Sequence, residues 1–179
     1  MLEFKEFVKI HRLSRNMIIT EKLDGTNVAV VISDDGTEIG AQSRNRLLGP
    51  GKDDHQGFYA WVQNNKEELL KLGPGHHFGE WWGHGIGPRQ YGLKEKRFSL
   101  FNVQRWNTES RPKCCHVVPV LYCGPFSTEA IMEVFEELDQ NGSYAVPGFV
   151  SPEGIVVYHS GSNYLFKKTF EKDEKGKGQ

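Results

Sequence analysis

Residues 17–33 read MIITEKLDGTNVAVVIS, two runs rich in β-branched residues with a lysine, an aspartate and a glycine set between them. Each run has the length and composition of a sheet strand. Side chains alternate faces along a strand, so Lys22 and Asp24 would project together while Leu23 points into the core. Gly25 then allows a close backbone turn. A third run, TEIGAQS, follows Asp34, Asp35 and Gly36, which form a hairpin signal. The N-terminal half is therefore led by sheet.

Between residues 56 and 72, Phe58, Trp61, Val62, Leu69 and Leu70 fit helical spacing loosely, and Gly73-Pro74-Gly75 ends the segment. This predicts a helix broken near Asn64. HFGEWW, RFSLFNVQRW and VVPVLY predict further strands, with Pro119 placing the last at an edge or a bulge. Ser127 is a good N-cap for a helix in which Ile131, Val134, Phe135 and Leu138 recur at i, i+3, i+4 and i+7, with Gly142 past its end. GIVVYH and NYLFKKTF predict a closing pair of strands, and EKDEKGKGQ a charged, solvated tail. The fold class expected is α+β, a single domain of mostly antiparallel sheets with flanking helices.

A domain of 179 residues removes roughly 70 % of its unfolded surface from water, enough for a proper core. The net charge of -1 offers no overall attraction to nucleic acid, so such a partner needs a local patch, for example near Arg44 and Arg46. Cys114, Cys115 and Cys123 are odd in number and two are adjacent, which argues against a disulfide framework and for a reducing cytoplasm. Cys114, Cys115 and His116 lack the second ligand pair of a structural zinc site, and His76, His77 and His84 read as loop residues rather than ligands. No apolar run approaches the ~20 residues that cross a bilayer, and no export signal opens the chain, so a soluble protein away from membranes is expected.

Lysine, any residue, aspartate, glycine is a short pattern that surface hairpins also produce. Four more segments accompany it in order: SRN at 43–45, GEWWG at 79–83, PEGIVV at 152–157 and LFKKT at 165–169. Together they resemble the nucleotidyltransferase motifs of the covalent ligase and mRNA-capping superfamily, from Thr20 through the tail. Asn27 is similar to the residue of the nick-sealing phage RNA ligases and RNA-editing ligases, where DNA ligases usually carry arginine. The chain thus resembles a small ATP-dependent RNA ligase.

That resemblance implies a mechanism and a set of roles. Lys22 would attack the α-phosphate of ATP and become a lysyl-AMP, with Mg2+ or Mn2+ on oxygen ligands, and the AMP would pass to a 5'-phosphate end of RNA for sealing by a 3'-hydroxyl. Glu21 falls at the adenine edge, Asn27 and Arg44 on the ribose or phosphate side, and Glu80 on the ribose. Phe101 stacks on adenine, with Phe98 as the alternative, and Glu153 helps to place metal and lysine. Asp24, Glu80 and Glu153 are the metal candidates. Lys167 is assigned to the α-phosphate beside Lys168, and strand alternation sends these two lysines to opposite faces.

Three departures accompany the likeness. The closing motif is often lysine, any residue, lysine, whereas Lys167, Lys168 and Thr169 stand here; Asn102 follows Phe101 where an aspartate is common. Full-length relatives carry an OB fold or a helical module after the closing motif, and this sequence runs ten residues past Thr169. The expectation is an adenylyltransferase domain over 1–170 and a charged tail over 171–179, with no C-terminal domain. The alternatives are a DNA ligase, a capping guanylyltransferase, or a catalytically silent module that binds nucleotides or nucleic-acid ends.

Overall fold

The computed structural model describes residues 2–171 and 173, and among these residues nine strands form two sheets. Strands are numbered in chain order. The first sheet contains β1 (Asn16–Lys22), β7 (Val120–Pro125), β8 (Gly154–His159) and β9 (Tyr164–Thr169) in the order β7-β1-β8-β9. The second contains β2 (Gly25–Ile32), β3 (Ile39–Ser43), β4 (Gly75–Gly83), β5 (Lys96–Leu100) and β6 (His116–Val117) in the order β3-β2-β4-β5-β6. Every pairing is antiparallel except β5 with β6. The α+β class and the dominance of antiparallel sheet are as the sequence predicts.

Each sheet buries one face under helices. Met17, Ile19, Ile155 and Val157 of the first sheet pack on Val134 and Leu138 of α3 (Thr128–Asn141). This helix starts where the sequence places its cap: the Ser127 hydroxyl accepts the Ala130 N–H at 3.1 Å, and Gly142 ends it at a positive φ of +77°. Under the second sheet, Val28, Val30, Trp81, Phe98 and Leu100 meet Phe58 and Val62 of α1 (Phe58–Asn64) and Leu69 of α2 (Lys66–Leu69). The break between α1 and α2 falls at Asn65, whose side-chain amide donates to the Trp61 carbonyl at 2.8 Å and competes with the next helical bond. A third cluster of Leu23, Trp82, Tyr91 and Val118 lies apart from these two.

Two strand expectations change. VVPVLY divides at Pro119: β6 joins the second sheet and β7 lies at the edge of the first, where the pairing with β1 shifts register between Ile19 and Thr20. The proline has no N–H for a continuous ladder. RFSLFNVQRW is strand only as far as Leu100, because the Asn102 side chain accepts the Arg105 N–H at 3.1 Å and folds the rest into turns. The tail expected over 171–179 lies outside the described residues apart from Glu171 and Asp173.

Leu23 and Asp24 link β1 to β2, and Gly25 then lies directly against β4. A Cβ on Gly25 would come within 2.4 Å of the Trp81 carbonyl oxygen and 2.7 Å of Trp82 Cβ. Gly25→Ala must therefore push two strands apart, and we expect it to destabilise the protein by about 3 kcal/mol, as read from urea denaturation midpoints.

Candidate active site

Register decides which side chains meet. In the first sheet Lys22 lies opposite Gly154, and Thr20 opposite Val156, which in turn lies opposite Lys167. Opposite residues share a face, so Lys22, Thr20, Val156 and Lys167 all project on the side away from α3. Lys168 lies opposite Ile155 and so turns toward α3, where its Nζ sits 4.8 Å from the Phe135 ring centroid. In the second sheet Asn27 lies opposite Glu80, and Glu80 opposite Ser99. These three share the face away from α1.

The two faces meet around one ammonium group. Lys22 Nζ donates to Glu153 Oε2 at 2.6 Å, and both side chains are about one-fifth exposed, at 21 % and 20 %. From the other sheet, Glu80 is 5 % exposed and its Oε2 accepts from Asn27 Nδ2 at 2.7 Å. Burial pushes the Glu80 carboxyl up to about 7, while the positive charge of Lys22 and the Asn27 amide pull it down and the Glu153 carboxylate adds to the rise. One cation thus pairs with Glu153, the residue just before β8, and its charge also acts on Glu80 of β4.

Other candidates stand elsewhere. Glu21 is buried on the face opposite Lys22, and there its carboxylate accepts from Ser143 Oγ at 2.6 Å and from the Tyr144 and Ala145 N–H groups at 2.9 Å each. Burial raises its pKa, and these donors oppose the rise. This carboxylate braces the loop after α3, because strand alternation turns it away from Lys22. Asp24, one of the metal candidates, pairs with Arg89: its Oδ2 lies 3.1 Å from Nη1, beyond the end of β1. Phe98 is fully buried among Phe58, Trp61 and Trp81 and is not free to stack on a ligand. Phe101 is 40 % exposed, and its N–H donates to the Phe78 carbonyl at 3.0 Å, one step past the Gly79–Leu100 pair. Arg44 is exposed just beyond β3, one step past the Val28–Ser43 pair and therefore level with Asn27.

Three residues around this site escape sequence reasoning. Arg89 pairs with Asp24, donates its Nε to the Ser151 carbonyl at 3.0 Å and lies 3.6 Å from Glu171. The Tyr91 hydroxyl accepts the Asp24 N–H at 2.8 Å, while its ring packs edge-on against Trp82 at 4.8 Å. Ser143 holds Glu21. Arg89 and Tyr91 come from GIGPRQYG, a stretch that reads as punctuation, and only their distant partners reveal them. Among the described residues no group of three or more His, Cys, Asp or Glu is gathered as a metal cluster. Glu80 and Glu153 still suit magnesium or manganese, which take one or two carboxylates and complete their shell with phosphate oxygens and water.

The RNA ligase family matches residues 15–169. Among solved structures, an RNA ligase of Naegleria gruberi with ATP and Mn matches at a TM-score of 0.65 and 22 % identity, over 89 % of this chain and 51 % of that one. Another structure of the same ligase, with AMP and Mn, matches at a TM-score of 0.64 and 21 % identity, over 93 % and 53 %. At this identity the likeness is one of fold, and the chain spans about half the length of the ligases it matches. No curated protein matches the sequence.

Proposed function

Because the chain belongs to the RNA ligase family, we propose that it is the adenylyltransferase part of an ATP-dependent RNA ligase that joins 5'-phosphate and 3'-hydroxyl ends. The observation that supports this reading most is Lys22 paired with Glu153 at 2.6 Å and close enough to the buried Glu80 for its charge to act on that carboxyl. In the proposed reaction Lys22 Nζ gives up a proton, for which Glu153 is the nearest acceptor, and attacks the α-phosphorus of ATP. An N–P bond forms, the bond to the β-phosphate oxygen breaks, and pyrophosphate leaves. A 5'-phosphate oxygen of RNA then displaces Nζ from phosphorus, and a 3'-hydroxyl finally displaces AMP to leave a phosphodiester.

The proposal gives the remaining residues these roles. Lys167, on the face of Lys22, neutralises the α-phosphate; Asn27 and Arg44 reach the ribose or phosphate side; Phe101 offers the exposed ring for adenine. Glu80 binds the ribose and, with Glu153, holds a divalent ion, which when bound neutralises phosphate charge. Lys168, turned toward α3, stands outside this set. Three unpaired cysteines fit an enzyme of RNA repair in a reducing cytoplasm, and among the described residues no helix is long and apolar enough to cross a membrane.

The test is mass spectrometry after incubation with magnesium and either ATP or GTP. A covalent AMP adduct on Lys22 is the expected result. A GMP adduct would favour a capping enzyme, and no adduct a silent nucleotide-binding module. In the same assay we expect Lys167→Ala to slow adduct formation by on the order of a hundredfold, and Lys168→Ala by far less; equal losses would refute the assignment by face.

A further inference from the structure

The other face of the second sheet carries a feature that the adenylation chemistry does not use. A groove of about 440 Å3 opens beside α1, walled by Trp61, Asn64, Trp81, His84, Lys94 and Lys96. No acidic residue is among those described along its wall. Glu95 is neutralised by Arg97, whose Nε and Nη2 donate to it at 2.9 and 2.7 Å, and Asp54, whose Oδ2 lies near Gly57 of the groove, offsets only one of the two lysine charges. In a chain of net charge -1, this is a local concentration of positive charge over aromatic walls.

Its rim is rigid and wired to the lysine motif. His55, Gln56 and Gly57 stand in succession at positive φ, +51°, +59° and +88°. Two consecutive non-glycine residues in that region persist only where their surroundings over-determine them. Here Lys96 Nζ and Trp81 Nε1 both donate to the Gln56 carbonyl, at 2.7 and 3.2 Å, and His55 Nε2 lies 2.9 Å from Thr26 Oγ1. Thr26 is the residue before Asn27, and Trp81 the residue after Glu80. Along β4 the step from Glu80 to His84 is about 13 Å, and Trp81 looks to the face opposite Glu80, so a strand in the groove reaches the carboxylates by turning round the end of β4.

We propose that this groove holds the sugar–phosphate backbone of a single RNA strand whose end lies at Lys22. The inference rests on the ligase reading above. Lys94 and the spare donors of Lys96 meet phosphates, and the half-buried Trp61 supplies the apolar wall for ribose or base, the combination by which proteins hold single strands without reading sequence.

The experiment is fluorescence anisotropy with a 5'-phosphorylated, 3'-labelled single-stranded RNA of about ten nucleotides, titrated at several salt concentrations. Lys94→Gln should weaken binding by about threefold and Lys94→Gln/Lys96→Gln by about tenfold at low salt, with the slope of log affinity against log salt falling by about 0.7 per lysine. Lys94 is exposed, so its variant should keep the wild-type melting temperature and report on the groove alone. Unchanged slopes and affinities would overturn the proposal, and pyrophosphate competing as well as RNA would reduce the groove to a simple anion site and overturn it too. Lysyl-AMP formation by the wild-type chain is read separately: a chain that adenylates while its RNA affinity ignores both lysines sinks the groove and spares the ligase reading.

Discussion

Lys22→Ala is expected to abolish covalent capture of AMP, a loss on the order of 10,000-fold or more, seen as disappearance of the adduct from the mass spectrum. No neighbouring amine can substitute. Lys167 shares the face of Lys22, but it lies two strands across and two residues along, about 12 Å away between Cα atoms by strand geometry. The alanine variant also takes away the cation that pairs with Glu153 and offsets its repulsion of Glu80, so a second variant separates chemistry from charge balance. Lys22→Arg keeps a positive charge beside Glu153, yet a guanidinium does not lose its proton in proteins and cannot attack phosphorus. Arginine should therefore restore the melting temperature and leave adenylation as dead as alanine does. A variant at Lys22 that still accumulates AMP on the chain would refute the assignment of the nucleophile.

Glu80→Gln should remove a large part of the pH dependence of stability. The carboxyl is pushed from 4.5 to about 7 in the folded protein, mainly by burial. Between those values the native state holds a proton that the unfolded state has released, so stability falls as pH rises and levels off once pH passes about 7. The shift corresponds to about 3 kcal/mol between roughly pH 4.5 and 8. Chemical denaturation at about pH 5 and about pH 8 should show wild type losing most of that amount, and Glu80→Gln losing less by the same margin. Glu21, also raised by burial, contributes a slope of the same sign in both proteins, so the difference between them belongs to Glu80. A variant whose slope matches wild type would mean that the carboxyl titrates in its ordinary range. The glutamine amide can still face Asn27, which limits collateral damage to one hydrogen bond.

Strands and caps were legible because they depend on neighbours in sequence. The β-branched runs, the Ser127 cap and Gly142 speak for themselves, and the period of two along β9 was enough to send Lys167 and Lys168 to opposite faces. The same rule, applied to β1, would have turned Glu21 away from Lys22. What stayed hidden depends on partners far along the chain. Lys22 and Glu153 are separated by 131 positions, and Glu21 and Ser143 by 122. Arg89 carries no local mark, since its meaning is Asp24 on one side and the Ser151 carbonyl on the other. The early end of β5 was a contest between β propensity in RFSLF and one asparagine side chain, and the turn won.

Lys22 closes β1 and Gly25 opens β2, so only Leu23 and Asp24 separate the wall that carries the amine from the wall that carries Glu80. A pleated chain repeats every two residues. Adding or deleting one residue here would turn a wall inside out, while the hairpin at 34–36 can change length without consequence for the pocket. The corner works like a gauge block: it sets the gap between the amine and the buried acid of the other wall, and descendants of this sequence are free to drift almost anywhere before they can alter its length.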